Sequence, residues 1–157
     1  MKTFIKMLVA SLFLICLLGG VSAHTRESAS DSEAITALMK GLWDTPDNPL
    51  AVEPIVLSGD YGLAGWTQSE RGGRALVHRE DGHWAIVVCG GDNLNDSEVL
   101  MTTGMDHHTA HSLADGMKQA EASLPEAKLK LFSSFEGLIK MASEHAQNEH
   151  ASHENSH

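Results

Sequence analysis

The sequence lacks the features that most enzymes and polyanion-binding proteins carry. It has 11 Lys and Arg residues against 21 Asp and Glu, which gives a formal net charge of −10. Because phosphate surfaces repel an acidic chain, this composition argues against a partner that is a nucleic acid or an anionic membrane. A phosphate loop, a dinucleotide fingerprint and a Gly-x-Ser-x-Gly elbow are all missing. We therefore predict a protein that is not an enzyme.

A long apolar run is also lacking. Lys2 and Lys6 precede an apolar stretch at 7–18, which is shorter than the ~20 residues that span a bilayer. Small residues at Val21 and Ala23 then fit a cleavage site, so we predict a signal peptide over residues 1–23 and export to the periplasm. Removal of the two lysines takes the formal charge to −12, which attracts cations.

Cysteine is scarce, with two in the chain. Cys16 lies in the predicted signal, which leaves Cys89 alone in the mature protein and excludes an intramolecular disulfide. A single cysteine in an apolar strand is most often a small core residue, although it can also be a thiolate ligand or a nucleophile. The stability of the protein must therefore come from a packed core of modest size.

The first half of the mature chain predicts a helix and a β-meander. Apolar residues at helical spacing, from Ile35 to Leu42, predict a helix that begins at Asp31 or Ser32 after a mobile polar stretch and ends at Trp43. Four short apolar segments follow at 52–58, 61–68, 75–79 and 84–89, with a turn at 70–73 and an Asp-Gly turn at 81–82. Their close spacing predicts antiparallel neighbours.

The second half returns to helical spacing. We predict a short helix at 97–101, a helix from His107 to about Glu121 that Asp106 caps, and a last helix at 127–141. The polar residues 142–157 predict a disordered tail. The expected fold is a single α+β domain at 31–141: an N-terminal helix, a four-stranded antiparallel meander and C-terminal helices.

Histidine is abundant where a fold does not need it. Four of the ten histidines lie in the tail, at His145, His150, His153 and His157. Imidazoles at this spacing can wrap a metal ion in a flexible segment, and His with Glu suits Zn(II), Ni(II) or Cu(II). The alternative is a solvated, low-complexity tail without a ligand. We predict metal capture by the tail.

A second group of possible ligands lies inside the domain. His107 and His111 are one helical turn apart, and Met101 and Met105 share that spacing in the preceding segment. Mixed Met and His ligation is typical of copper, especially Cu(I). The alternatives are core methionines and exposed histidines. His24 would become the first residue after cleavage, where its amine and ring could chelate Cu(II); the alternative is a frayed terminus without a ligand role.

Several segments of the domain carry a resemblance to a known family. These are GDYGLAGWTQ at 59–68, GGRAL at 72–76, GHW at 82–84 and CGGD at 89–92, followed by LP at 124–125, LF at 131–132 and FEG at 135–137. As a set they resemble the copper uptake system-associated proteins, a family of small exported bacterial proteins, over residues 35–141. The resemblance implies a periplasmic role beside copper-handling proteins. It implies no enzyme activity and assigns no ligands.

Together these features predict a periplasmic accessory protein that binds copper and collects or delivers it in a copper uptake system. The expected partner is a periplasmic copper chaperone or a component of a copper transporter. One alternative is a Zn- or Ni-buffering protein that uses the tail alone. Another is a small-ligand-binding or enzymatic domain with a pocket between sheet and helices, where Asp60, His78, Asp92 and Cys89 would converge.

Overall fold

The computed structural model describes the backbone of residues 22–141 and the side chains of residues 27–141. Internal contacts divide the chain into two units, 1–33 and 34–157. The described part of the first unit is helical, and the second unit holds every strand of the described chain. Within residues 22–141, no helix is long and apolar enough to cross a membrane.

The second unit is an α+β domain, as predicted. The helices of the described chain are α1 (Ser22–Trp43), α2 (Ser97–Met101), α3 (His107–Glu121) and α4 (Glu126–Ser133), and a 3-10 turn covers Asp92–Asn95. The strands are β1 (Leu50–Ser58), β2 (Tyr61–Gln68), β3 (Arg71–Glu80), β4 (His83–Gly90) and β5 (Leu138–Lys140). All neighbouring strands are antiparallel, in the order β1-β2-β3-β4-β5.

The β3–β4 turn is where the sequence placed it. Asp81 and Gly82 have φ angles of 50° and 80°, the pair of positive values that a two-residue type I′ turn requires. The predicted turn at 70–73 was placed too late, because β3 already begins at Arg71. The chain reverses instead at Ser69, whose φ is 54°. The two glycines at 72 and 73 are strand residues paired with Thr67 and Trp66.

The predicted helix at 127–141 was wrong in its second half. Helix α4 ends at Ser133, and the chain then turns at Gly137. The φ angle of Gly137 is 78°, a value that does not occur within a right-handed helix. The next three residues form β5 and pair with Val88–Gly90 of β4. The exposed edge of β4 offers unpaired backbone groups, so the chain after Gly137 gains more hydrogen bonds as a strand than as one more helical turn.

The first helix also begins earlier than predicted. Helix α1 starts at Ser22 rather than at Asp31 or Ser32, so the polar stretch expected to be mobile is helical in the structure. Residues 22–32 contain neither Gly nor Pro, and Ser32 donates a hydrogen bond to the carbonyl of Ser28, 2.9 Å away. Nothing in this stretch therefore interrupts the helix.

Side chains from the two faces of the sheet build two cores. One face packs Leu63, Leu76 and Val88 against α2 and α3. The other packs Ala64, Ala75 and Cys89 with Ile35 and Met39 of α1. The alternation follows from the period of two along each strand, which sends neighbouring residues to opposite faces.

The outer strand β1 is irregular. Its pairing with β2 shifts register between Val52 and Ile55, around Pro54, which has no backbone N–H to donate. The opposite outer strand, β5, has three residues.

Candidate functional site

The histidines predicted as an internal metal site are adjacent at the start of α3. The ring centroids of His107 and His111 are 4.1 Å apart, and the rings are inclined by 38°. The one-turn spacing on a helix puts both side chains on one face. His107 is exposed and His111 is partly exposed, so both rings can be reached from solvent.

The helix start that holds this histidine pair is capped as the sequence predicted. Asp106 accepts hydrogen bonds from the backbone N–H of Thr109 (3.1 Å) and from its hydroxyl (2.6 Å). Both bonds lower the pKa of Asp106 from its ordinary 3.8, and the bond from the hydroxyl has the larger effect. Asp106 is therefore an anion at neutral pH, next in sequence to the histidine pair, where its charge attracts a cation.

Of the methionines predicted to share this site, Met105 lies in the core and Met101 packs against it. Met105 is 6% exposed and belongs to the same apolar cluster as Ala110, while Met101 is partly buried against that cluster. Met105 precedes the cap residue and Ala110 follows it by four, which is the arrangement of a hydrophobic staple. Packing therefore accounts for both methionines without a metal.

Two imidazoles are fewer than a metal site usually needs. Among residues 27–141, no group of three or more His, Cys, Asp or Glu side chains is arranged to hold a metal ion. A metal on the histidine pair would need further ligands from solvent, from a partner or from residues beyond this range. The predicted tail ligands His145, His150, His153 and His157 lie outside the described residues, as does the side chain of His24.

A buried ion pair was missed by the sequence interpretation. Arg74 of β3 and Glu121 at the end of α3 are 2% and 6% exposed. Nε and Nη2 of Arg74 donate to the two oxygens of Glu121, at 2.7 and 2.8 Å, which is the bidentate geometry that makes such pairs strong. Asp92 accepts a further bond from Arg74 at 3.1 Å, and Asn95 donates to Glu121 at 2.9 Å.

These contacts make a polar network that joins the sheet to α3 at one end of the domain. The guanidinium carbon of Arg74 also lies 5.4 Å from the centroid of the Phe132 ring, in a cation–π contact with α4. Every hydrogen bond of this network joins residues that are far apart in sequence. Arg74 and Glu121, for example, are 47 positions apart. Its role is to hold the layers in place rather than to expose a reactive group.

A pocket opens on the opposite face of the sheet. Its volume is about 290 Å³, and it is lined by Trp43, Leu50, Trp66, Gln68, Cys89, Phe135, Ile139 and Met141. Burial raises the pKa of the Cys89 thiol to about 11, so this side chain is a neutral thiol at pH 7. The pocket is therefore apolar.

The four residues expected to converge in a catalytic pocket are not together. Cys89 lines the pocket, but Asp60 accepts a hydrogen bond from Arg79 and Asp92 bonds to Arg74 in the buried network. His78 stacks on Tyr61, with 4.2 Å between ring centroids. Of these four, the pocket therefore gathers only the thiol.

No family model, no curated protein and no solved structure matches this chain. Two features of the described domain could bind a ligand: the histidine pair on α3 and the apolar pocket beside Cys89.

Proposed function

We propose that this protein is a periplasmic accessory protein that binds copper and collects or delivers it for a copper uptake system. The observation that carries the proposal is the His107–His111 pair, whose rings are 4.1 Å apart at an accessible helix end. Imidazole nitrogen is a good ligand for copper in both oxidation states, and an i, i+4 pair offers two nitrogens to one ion.

Three further features support the same proposal. The sequence motifs resemble copper uptake system-associated proteins, and the N-terminal segment has the pattern of an export signal. The net charge of −10 concentrates cations around the chain. The histidines of the tail supply the ligands that a pair lacks. A site that draws its ligands from two separate segments of the chain exchanges metal readily, which suits transfer to a chaperone or transporter component better than storage.

The test is a copper titration of the mature chain in both oxidation states. His107→Ala together with His111→Ala should weaken binding at one site roughly tenfold or more, because it removes two ligands that share one ion. His108→Ala is the matched control: His108 is an exposed histidine on the same helical turn and does not belong to the His107–His111 pair. Its affinity for copper should equal that of the wild type.

The tail is tested separately, in the full mature chain. Changing His145, His150, His153 and His157 together to Asn should lower the number of ions bound and keep the domain intact. If the double variant on α3 binds Cu(I) and Cu(II) as the wild type does, the histidine pair is not a copper site. If Zn(II) or Ni(II) displaces copper at equal concentration, the protein is a general metal buffer rather than a copper protein.

A further inference from the structure

The pocket beside Cys89 reaches into the core of the domain. Two of the residues that line it, Leu50 and Cys89, are 2% and 6% exposed, so they belong to the interior. Two others, Ile139 and Met141, are 55% and 36% exposed and form its rim. Because the inner walls lie below the surface, the space fits a small molecule rather than a flat protein surface.

The volume sets the size of the molecule. A cavity of about 150 Å³ lined by aliphatic and aromatic residues is known to hold benzene. The pocket here, at about 290 Å³, is close to twice that size. It corresponds to a bicyclic aromatic compound, or to an aliphatic chain of similar volume, with roughly a dozen non-hydrogen atoms.

The residues that line the pocket also determine the polarity of the ligand that it can bind. None of the residues that line this pocket carries a charge at pH 7, so an ionised ligand would lose its hydration without a partner of opposite charge. Gln68 is the one carboxamide among them, and its Nε2 donates to the carbonyls of Trp43 (2.7 Å) and Asn48 (2.8 Å). Both amide hydrogens are thus used, and Gln68 can offer a ligand only its carbonyl oxygen.

We infer that this pocket binds a neutral, largely apolar small molecule of about this size, with at most one hydrogen-bond donor such as a hydroxyl group. The aromatic rings favour a planar body: Trp66 and Phe135 already form an edge-to-face pair, with 5.9 Å between centroids, to which a third ring can add. This binding site is independent of the copper proposal, since His107 and His111 are not among the residues that line it.

Two probes of matched shape test the inference on the mature chain. We expect 2-naphthol, which is neutral at pH 7, to bind with a stoichiometry of one in isothermal titration calorimetry and to change the tryptophan fluorescence. We expect 2-naphthoate, which is ionised at pH 7, to bind roughly tenfold or more weakly, because its carboxylate would be buried without a partner of opposite charge.

A pair of surface variants locates the binding. Ile139→Arg places a charge on the exposed rim and should weaken 2-naphthol binding roughly tenfold or more. Leu42→Arg is the control, since Leu42 is 56% exposed and does not line the pocket, and it should bind as the wild type does. Circular dichroism checks that both variants are folded.

Three outcomes would overturn the inference: no saturable binding of 2-naphthol, equal binding of the two probes, or equal binding by both variants. Copper titration of Ile139→Arg should give the wild-type result. Loss of copper binding in that variant would contradict the independence of the two sites.

Discussion

The buried ion pair between Arg74 and Glu121 should dominate the response of this domain to mutation. Glu121→Gln keeps the shape of the side chain and removes its charge, which leaves the guanidinium of Arg74 buried at 2% exposure. Breaking a buried pair by removing one partner costs about 3–5 kcal/mol. Asp92 still lies 3.1 Å from Arg74, but its side chain is 65% exposed and screened by solvent, so it offsets little of this loss.

We therefore expect the free energy of unfolding to fall by about 3 kcal/mol, a large share of the 5–15 kcal/mol typical of a domain. The measurement is urea unfolding followed by tryptophan fluorescence. Glu126→Gln is the control, because Glu126 also pairs with a basic residue, Lys130, at 2.9 Å, but both side chains are exposed. That change should cost less than about 0.5 kcal/mol.

A double variant separates the charge from the packing. Arg74→Met with Glu121→Leu removes both charges and fills the same space, so it should be more stable than Glu121→Gln alone. Two results would contradict a large contribution from the buried pair: a free energy of unfolding for Glu121→Gln within about 1 kcal/mol of the wild type, or an equal loss in the exposed control.

Three further predictions concern single residues. Burial raises the pKa of Cys89 to about 11, so maleimide should label the native thiol roughly 100-fold more slowly than the unfolded chain at pH 7, and the rate should rise as pH approaches 11. Gly91→Ala should lower the free energy of unfolding by about 1–3 kcal/mol, because a methyl group there would collide with the carbonyl of Phe135. Gly41 lies on α1 with open space around it, so Gly41→Ala should raise the free energy of unfolding by up to about 1 kcal/mol. Urea titration measures both changes. Asp106→Ala should lower the melting temperature at pH 7; since the folded pKa of Asp106 is depressed, this difference should shrink as pH falls below 3.8.

The local features of the fold could be predicted from the sequence. The Asp81-Gly82 turn, the cap at Asp106 and the strand periods of the meander each depend on a few neighbouring residues. The last helix could not be predicted correctly, because Leu131, Phe135 and Leu138 do have helical spacing. Leu131 is indeed helical, but the structure of Leu138 is decided by the free edge of β4, which is known only once the sheet has formed.

The candidate site likewise has features that the sequence could predict and features that it could not. The one-turn spacing of His107 and His111 is visible in the sequence and places the rings side by side. The role of Met105 in the core depends on its partner Ala110 and could have been found from the staple pattern around the cap. The ion pair of Arg74 joins residues 47 positions apart, and the pocket combines α1, four of the strands and the loop before β5; no local pattern indicates either.

The irregular outer strand β1 has a consequence for how copies of this protein meet. A regular edge strand can pair with the same edge of another molecule, and such pairing grows into aggregates. Around Pro54 the register shifts and one N–H is missing, so the edge of β1 cannot offer an unbroken ladder to a second chain. On the opposite side, β5 covers only Val88–Gly90 of β4, and its own three residues are too short to template a strand. The long edge of this sheet is thus a poor template for pairing with a second copy, although both faces of the sheet carry apolar residues.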